Sequence, residues 1–331
     1  MRALALFSGG LDSLLAVKIV QSTGIEVIPV FFNSLFFNKE KAEKTARENN
    51  LNLVIVELED DYLDIIKNPK YGYGKNMNPC IDCHGFMFKK LGELLKEFNA
   101  DFLISGEVLG QRPFSQTLPN LNAVKKLSGY EDLIVRPLSQ KLLPDTKPIR
   151  EGWIKKHNLY DIQGRGRKRQ FELAKKFGLK YPPPAGGCLL TDPSFSQRLN
   201  DLIKYSMYNK INIELLKLGR HLRIDKNTKL IIGRNREECE KLKYFVYKYN
   251  FIIVEPSLYK GPSGMIIFND SSLSNRVVEE SINLCGSIIL SYTNKIKTDK
   301  GSVYFYNDNY FSTRYLKKFE REKIEKFLIN R

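Results

Sequence analysis

The first 140 residues alternate between short apolar runs and longer segments of helical pattern. The apolar runs are residues 2–7, 25–32 (IEVIPVFF), 51–58 (LNLVIVEL), 101–107 (DFLISGE) and 132–138 (DLIVRPL). Between them, residues 13–22 place Leu14, Leu15, Val17, Ile19 and Val20 at helical spacing, residues 39–50 form a charged helix, and residues 83–98 are amphipathic. Continuous apolar strands separated by helices predict a parallel sheet covered on both faces, a doubly wound α/β fold. Ligands of such sheets bind at the carboxyl ends of the strands.

The pattern then changes. Residues 228–233, 251–256, 264–269, 287–292 and 302–307 read as shorter strands, with helices near 235–249 and 271–284 and a charged helix closing the chain over roughly 313–330. This predicts an α+β module. YPPPAGG (181–187) punctuates the chain strongly, and TDPSFSQRL after it carries helix-capping residues. The boundary is placed near residue 195, giving domains 1–194 and 195–331.

Charge adds a class of partner. The net charge of +16 is divided between +9 in residues 191–331 and +7 in the remainder, so it is not confined to a tail. A basic field of this kind favours polyanions, nucleic acid first. No stretch approaches 18 uncharged apolar residues, and the sequence opens on a strand pattern without a signal peptide. A cytoplasmic protein with no membrane partner is expected. Five cysteines, an odd number, argue against a disulfide framework.

The candidate chemistry begins at FSGGLDS. Ser8, Gly9, Gly10, Leu11, Asp12 and Ser13 lie between the first strand and the first helix. Glycines allow positive φ and close backbone approach to an anion, and the helix start adds unpaired amides. A carboxylate beside phosphates is repulsive unless a cation lies between, so Asp12 implies Mg²⁺. With a strand before and a helix after, this string resembles the SGGxDS signature of the PP-loop ATP pyrophosphatases. That resemblance implies an adenine-nucleotide α-hydrolase-like fold, ATP cleaved between its α- and β-phosphates, and adenylation of a substrate oxygen. It places Ser8, Gly9, Gly10, Asp12 and Ser13 around the phosphates. The adenine is placed near Phe31, Phe32 and Asn33, and Gly106 of SGEVLGQRP (105–113) faces the site with Gln111 and Arg112 nearby.

Cys80 and Cys83 form a C-x-x-C after Pro79, at a helix start where thiolates are stabilised, and Cys188 lies in PAGGCLL. Three readings of this set stay open on the residues alone. The thiols are small buried apolar groups, or they hold zinc with His84 as a fourth ligand, or they hold a [4Fe–4S] cluster with one open iron. The stretch from Asn78 to Glu107 resembles the tRNA 2-thiouridine synthetases, a likeness covering roughly residues 1–190. Many of those enzymes have Asp at the position of Cys80 and use the equivalents of Cys83 and Cys188 as a persulfide pair. A cysteine at position 80 is similar instead to relatives that bind an iron–sulfur cluster. The resemblance therefore implies Cys80, Cys83 and Cys188 as cluster ligands, Zn²⁺ being the alternative metal, and Cys188, Cys83 and Asp12 as catalytic residues. His84 and Glu107 depart from that family's pattern, which often has Asn and His there.

Candidate RNA contacts are Arg112, the Gly-broken loop of Arg165, Arg167, Lys168 and Arg169, and Arg220, Arg223 and Arg234 in the echoed GRHLR and GRNRE. Basic residues interleave with Tyr244, Phe245, Tyr247, Tyr249 and Tyr259. Residues 219–264 resemble the NFACT-R type of RNA-binding module.

Together these readings predict an ATP-dependent tRNA sulfurtransferase. It adenylates a uridine carbonyl oxygen, releases pyrophosphate and AMP, and replaces the oxygen with sulfur. 4-Thiouridine is favoured over 2-thiouridine because the appended module is not the usual tail of the 2-thiouridine synthetases. The sulfur donor is sulfide or a persulfide carrier such as a cysteine desulfurase, and a homodimer is left open. The alternatives are a PP-loop synthetase or amidotransferase acting on a small molecule, and a non-catalytic RNA-binding protein with a relict nucleotide site.

Overall fold

The computed structural model describes residues 1–331 except 59, 184–186, 250, 270–273, 294–297 and 330–331. The chain divides into two compact units, Met1–Thr191 and Asp192–Arg331. Among the described residues no helix is long and apolar enough to cross a membrane.

The first unit runs β1 (Arg2–Leu6), α1 (Leu11–Gln21), β2 (Glu26–Asn33), α2 (Lys39–Glu48), β3 (Val54–Glu57), α3 (Asp60–Lys67), α4 (Cys80–Glu93), β4 (Phe102–Ser105), α5 (Leu118–Ser128), β5 (Ile134–Val135), α6 (Lys147–Arg150) and α7 (Lys168–Lys176). Its strands are ordered β3-β2-β1-β4-β5 and all paired in parallel. Ala3, Ala5, Leu14, Val17, Phe102, Ile104 and Val135 join in one core, which explains the apolar runs. The strand order reverses between β1 and β4. The crevice beyond those two strands is where this architecture binds ligands.

The second unit runs α8 (Pro193–Lys204), α9 (Lys210–Leu215), β6 (Arg220–Arg223), β7 (Thr228–Ile232), α10 (Arg236–Tyr249), β8 (Ile252–Pro256), β9 (Gly264–Phe268), α11 (Asn275–Ser291), β10 (Lys300–Asn307) and β11 (Tyr310–Lys317). Asp192 caps α8, accepting from Phe195 N at 2.7 Å with Pro193 in the first turn. The antiparallel sheet is ordered β11-β10-β8-β9-β7-β6.

Two expectations are corrected. Residues 287–292 are not a strand; most of them form the last turns of α11, whose Ile282, Cys285, Ile288 and Ile289 return to the core at helical spacing. Among the described residues the closing helix expected over 313–330 is absent. Residues 310–317 pair with β10, and a 3₁₀ segment follows at Arg321–Phe327. In GRHLR, Gly219 has φ +68° before β6, and His221 and Leu222 are buried against β7. The helix expected near 271–284 starts, among the described residues, at Asn275, its first positions lying outside them. Part of YPPPAGG, 184–186, also lies outside the described residues.

Candidate active site

Ser8–Ser13 joins β1 to α1. Gly9 has φ +72°, and a Cβ there would lie 2.7 Å from Ala42 Cα, so both conformation and space require glycine. Gly10 differs from the expectation: at φ −88° it is extended and serves as the N-cap of α1. Leu14 N donates to Gly10 O at 3.0 Å, so the amides of Leu11, Asp12 and Ser13 precede the first helical hydrogen bond and remain available to an anion. The loop is braced internally. Ser13 Oγ donates to Gly10 O at 2.9 Å and accepts from Ser8 N at 3.3 Å, while Thr45 Oγ1 donates to Gly9 O at 3.0 Å.

Asp12 receives Gln111 Nε2 on Oδ2 at 2.7 Å. Its Oδ1 is buried and has no hydrogen-bond partner among the described residues. An unpaired buried carboxylate oxygen is costly unless a donor or cation fills its place, so Asp12 fits Mg²⁺ brought with a nucleotide. Gln111 is held from behind by fully buried Gln170, whose Nε2 donates to Gln111 Oε1 at 3.0 Å.

The loop after β4 connects everything else. Gly106 lies directly against the phosphate loop: a Cβ there would be 2.4 Å from Asp12 C and Ser13 N. Glu107, one residue on, is buried. It receives Arg136 Nε at 2.8 Å and Ser105 Oγ at 3.1 Å on Oε2, and His84 Nδ1 stands 2.8 Å from Oε1. Burial alone would raise the Glu107 carboxyl, but the Arg136 guanidinium and His84 outweigh it and hold it at about 2. Gly164 N donates to Leu109 O at 2.7 Å, which docks the basic 165–169 loop against the same segment. Arg165 and Lys168 are exposed, Arg167 is half-buried, and Arg169 pairs with Asp161 at 2.7 Å.

The cysteines gather near this loop. Cys80 opens α4 and accepts from Asn78 Nδ2 at 3.2 Å. Cys83 is buried with its sulfur 3.3 Å from the Tyr62 hydroxyl. Cys188 forms an antiparallel bridge with Phe37. Burial pushes the Cys83 thiol well up, with Cys188 and Cys80 adding to it against the Tyr62 hydrogen bond. Burial pushes Cys188 up to about 12, opposed by the Leu190 and Thr191 amides and by exposed Arg112. The expected stabilisation of thiolates by the helix start is thus outweighed by desolvation at Cys83. Among the described residues no three His, Cys, Asp or Glu side chains converge to hold a metal ion, which bears equally on the zinc and the cluster readings of Cys80, Cys83 and Cys188.

The remaining sequence-derived positions are more constrained. Phe31 and Phe32 are in the core, leaving only backbone to face a base. Asn33 Nδ2 donates to both Glu57 carboxylate oxygens at 2.9 Å. Arg223 is tied to Asp201 by two hydrogen bonds, at 3.1 and 2.5 Å, and Arg234 to Glu238. Arg220 lies over the Tyr292 ring. Sequence reasoning missed Tyr62, Arg136 and Gln170. Arg136, a charge directly after an apolar strand, was the one with a visible signal.

Residues 1–141 match the family model described as "Thiamine biosynthesis protein (ThiI)". Residues 219–328 match that of the "NFACT protein RNA binding domain", a longer span than the 219–264 read from sequence. A "Probable tRNA sulfurtransferase" of Thermococcus kodakarensis is 32% identical over 41% of this chain and 36% of its own. That of Finegoldia magna is 32% identical over 41% and 35%. The chain therefore spans about a third of the length of these relatives. A solved structure described as a "4-thiouridine synthetase - RNA complex with bound ATP" is 24% identical over 54% of this chain and 40% of that one, with a TM-score of 0.39.

Proposed function

We propose that the chain is an ATP-dependent tRNA sulfurtransferase that exchanges a uridine carbonyl oxygen for sulfur. The observation that carries this reading is the 105–112 loop: Gly106 and Gln111 meet the phosphate loop, and Glu107 pairs with His84, the residue after Cys83 at the start of α4. An activating loop and a set of thiols on segments that meet at the 105–112 loop are what this exchange needs.

The α1 amides and Ser8 bind the ATP phosphates, and Asp12 Oδ1 would hold the Mg²⁺ carried with them, which would neutralise charge on the phosphates. The uridine oxygen attacks the α-phosphate, and pyrophosphate leaves on the loop amides. The adenylated carbon is then attacked by sulfur at the thiol pocket, and AMP departs. Cys80, Cys83 and Cys188 would hold the [4Fe–4S] cluster, which when bound supplies an open iron for sulfide. Arg165, Arg167 and Lys168 contact the tRNA backbone, and the Asp192–Arg331 unit contributes further RNA affinity. The carbon thiolated is C4 rather than C2, on the argument from the appended module.

The test is incubation of the anaerobically purified chain with unmodified tRNA, ATP, Mg²⁺ and sulfide, followed by nucleoside mass spectrometry. Thiouridine and AMP are expected in equal amounts, both lost in Asp12→Asn, with thiouridine alone lost in Cys188→Ala. AMP release that does not depend on tRNA would replace this reading with a small-molecule synthetase.

A further inference from the structure

The second sheet is covered unevenly. Helix α11 packs along the face that buries Val254, Ile266, Val303 and Phe305. On the opposite face α10 packs on β8 and β9. The β10–β11 end of that opposite face is open. Register places Lys300 beside Lys317, Ser302 beside Tyr315, Tyr304 beside Thr313 and Tyr306 beside Phe311 on it. Phe311 is 68% exposed and Tyr315 70%, and Tyr304 meets Phe311 at 5.5 Å between ring centroids.

We propose that this open face of β10 and β11 is a base-stacking surface for single-stranded RNA. The proposal rests on the RNA-directed function above and names the surface that serves it. Exposed rings on a twisted edge strand are a liability unless something covers them. These are flat aromatic faces, which accept any base. Lys300 and Lys317 end the row and suit phosphate contact, as does the +9 charge of residues 191–331. The acid on this face, Glu255, is already occupied by Lys243 at 3.0 Å and by the Tyr306 and Ser263 hydroxyls at 2.9 Å. Asp299 and Asp308 lie just beyond the ends of β10, next to the row rather than within it. Arg223 and Arg234, bound to Asp201 and Glu238, are less available for the same task.

The experiment is fluorescence anisotropy of the full chain with labelled oligouridine, with a duplex RNA hairpin and with unmodified tRNA, alongside sedimentation to read oligomeric state. The double variant Phe311→Ser/Tyr315→Ser is expected to bind oligouridine about tenfold more weakly or worse, with an unchanged salt slope and melting temperature. Tyr315→Phe, which keeps the ring, is expected to bind as wild type does. If wild type binds tRNA and the double variant binds tRNA and oligouridine equally well, the stacking surface is refuted and the proposed function stands. A wild-type dimer that the double variant dissociates, or wild-type binding only to duplex, also refutes it. Wild type that binds no RNA at all refutes both.

Discussion

Gly9, Gly10 and Gly106 surround one loop, yet each is glycine for a different reason. Gly9 needs positive φ and would collide with α2, and Gly106 would collide with the backbone of Asp12 and Ser13. Gly10 has an ordinary φ, and its nearest obstacle is Ser8 Oγ at 3.5 Å. Gly106→Ala is therefore expected to displace the phosphate loop and lower both melting temperature and AMP release. Gly10→Ala is expected to keep the wild-type melting temperature while raising the KM for ATP, since the added methyl lies 3.5 Å from Ser8 Oγ, a proposed phosphate donor. Equal melting temperatures for all three would overturn the packing argument. Glu107 gives a pH prediction at the same scale. Its carboxyl is held at about 2, below the usual carboxylate range, by Arg136 and His84. A lowered acid stabilises the fold fully above the unfolded value and loses that contribution as pH falls through the folded one. Glu107→Gln, which leaves buried Arg136 uncompensated, is expected to cost about 3–5 kcal/mol near neutral pH. Thermal melts should show the gap between variant and wild type narrowing as pH drops from about 5 towards 2.

Among the elements, α11 shows how context decides an ambiguous run. The apolar string around 287–292 suits a strand by composition, but Gly286 sits where a Cβ would be 2.6 Å from Phe305 Cζ and from Leu316 Cδ1. That close helix-on-sheet approach is what the small residue permits. Gly286→Leu should lower stability by about 1–3 kcal/mol by overpacking, read as a lower melting temperature with RNA binding intact below it. The parallel sheet was legible because its inner strands β1 and β4 are buried almost throughout and its strands read as unbroken apolar runs. The closing hairpin was not, because Lys317, Lys318, Glu320, Arg321 and Glu322 give a helical impression to a segment whose Phe311, Thr313 and Tyr315 alternate as a strand. Likewise the phosphate loop is local in sequence and could be read directly. The Glu107–Arg136–His84 network and the Gln170–Gln111–Asp12 relay join residues 23 to 99 positions apart, and only the fold brings them together.

Across the whole molecule both compact units are basic, yet the cations are not equivalent. Arg165, Arg167 and Lys168 belong to a loop docked on the segment after β4, and among the described residues none of their side chains has a hydrogen-bond or salt-bridge partner. Arg223 is mostly buried, held by Asp201 with Lys229 Nζ 3.4 Å from the same carboxylate. Burial lowers Lys229 to about 7 against the pull of Asp201, so Arg223 is the firmer partner of that acid. A phosphate-contacting cation releases counterions on binding, which sets the slope of log affinity against log salt. The Arg165→Ala/Arg167→Ala/Lys168→Ala variant should therefore bind tRNA more weakly, with a slope shallower by about two. Its melting temperature should match wild type, since no fold contact is lost. Arg223→Ala should do the reverse. It should cost about 1–3 kcal/mol of stability by leaving buried Asp201 with Lys229 as its remaining cationic partner, while leaving the salt slope of the still-folded protein unchanged. Titrations of tRNA at several salt concentrations, paired with melts, separate the two. A shallower slope for Arg223→Ala, or an unchanged one for the loop variant, would move the RNA-binding charge from the crevice of the first unit to the second.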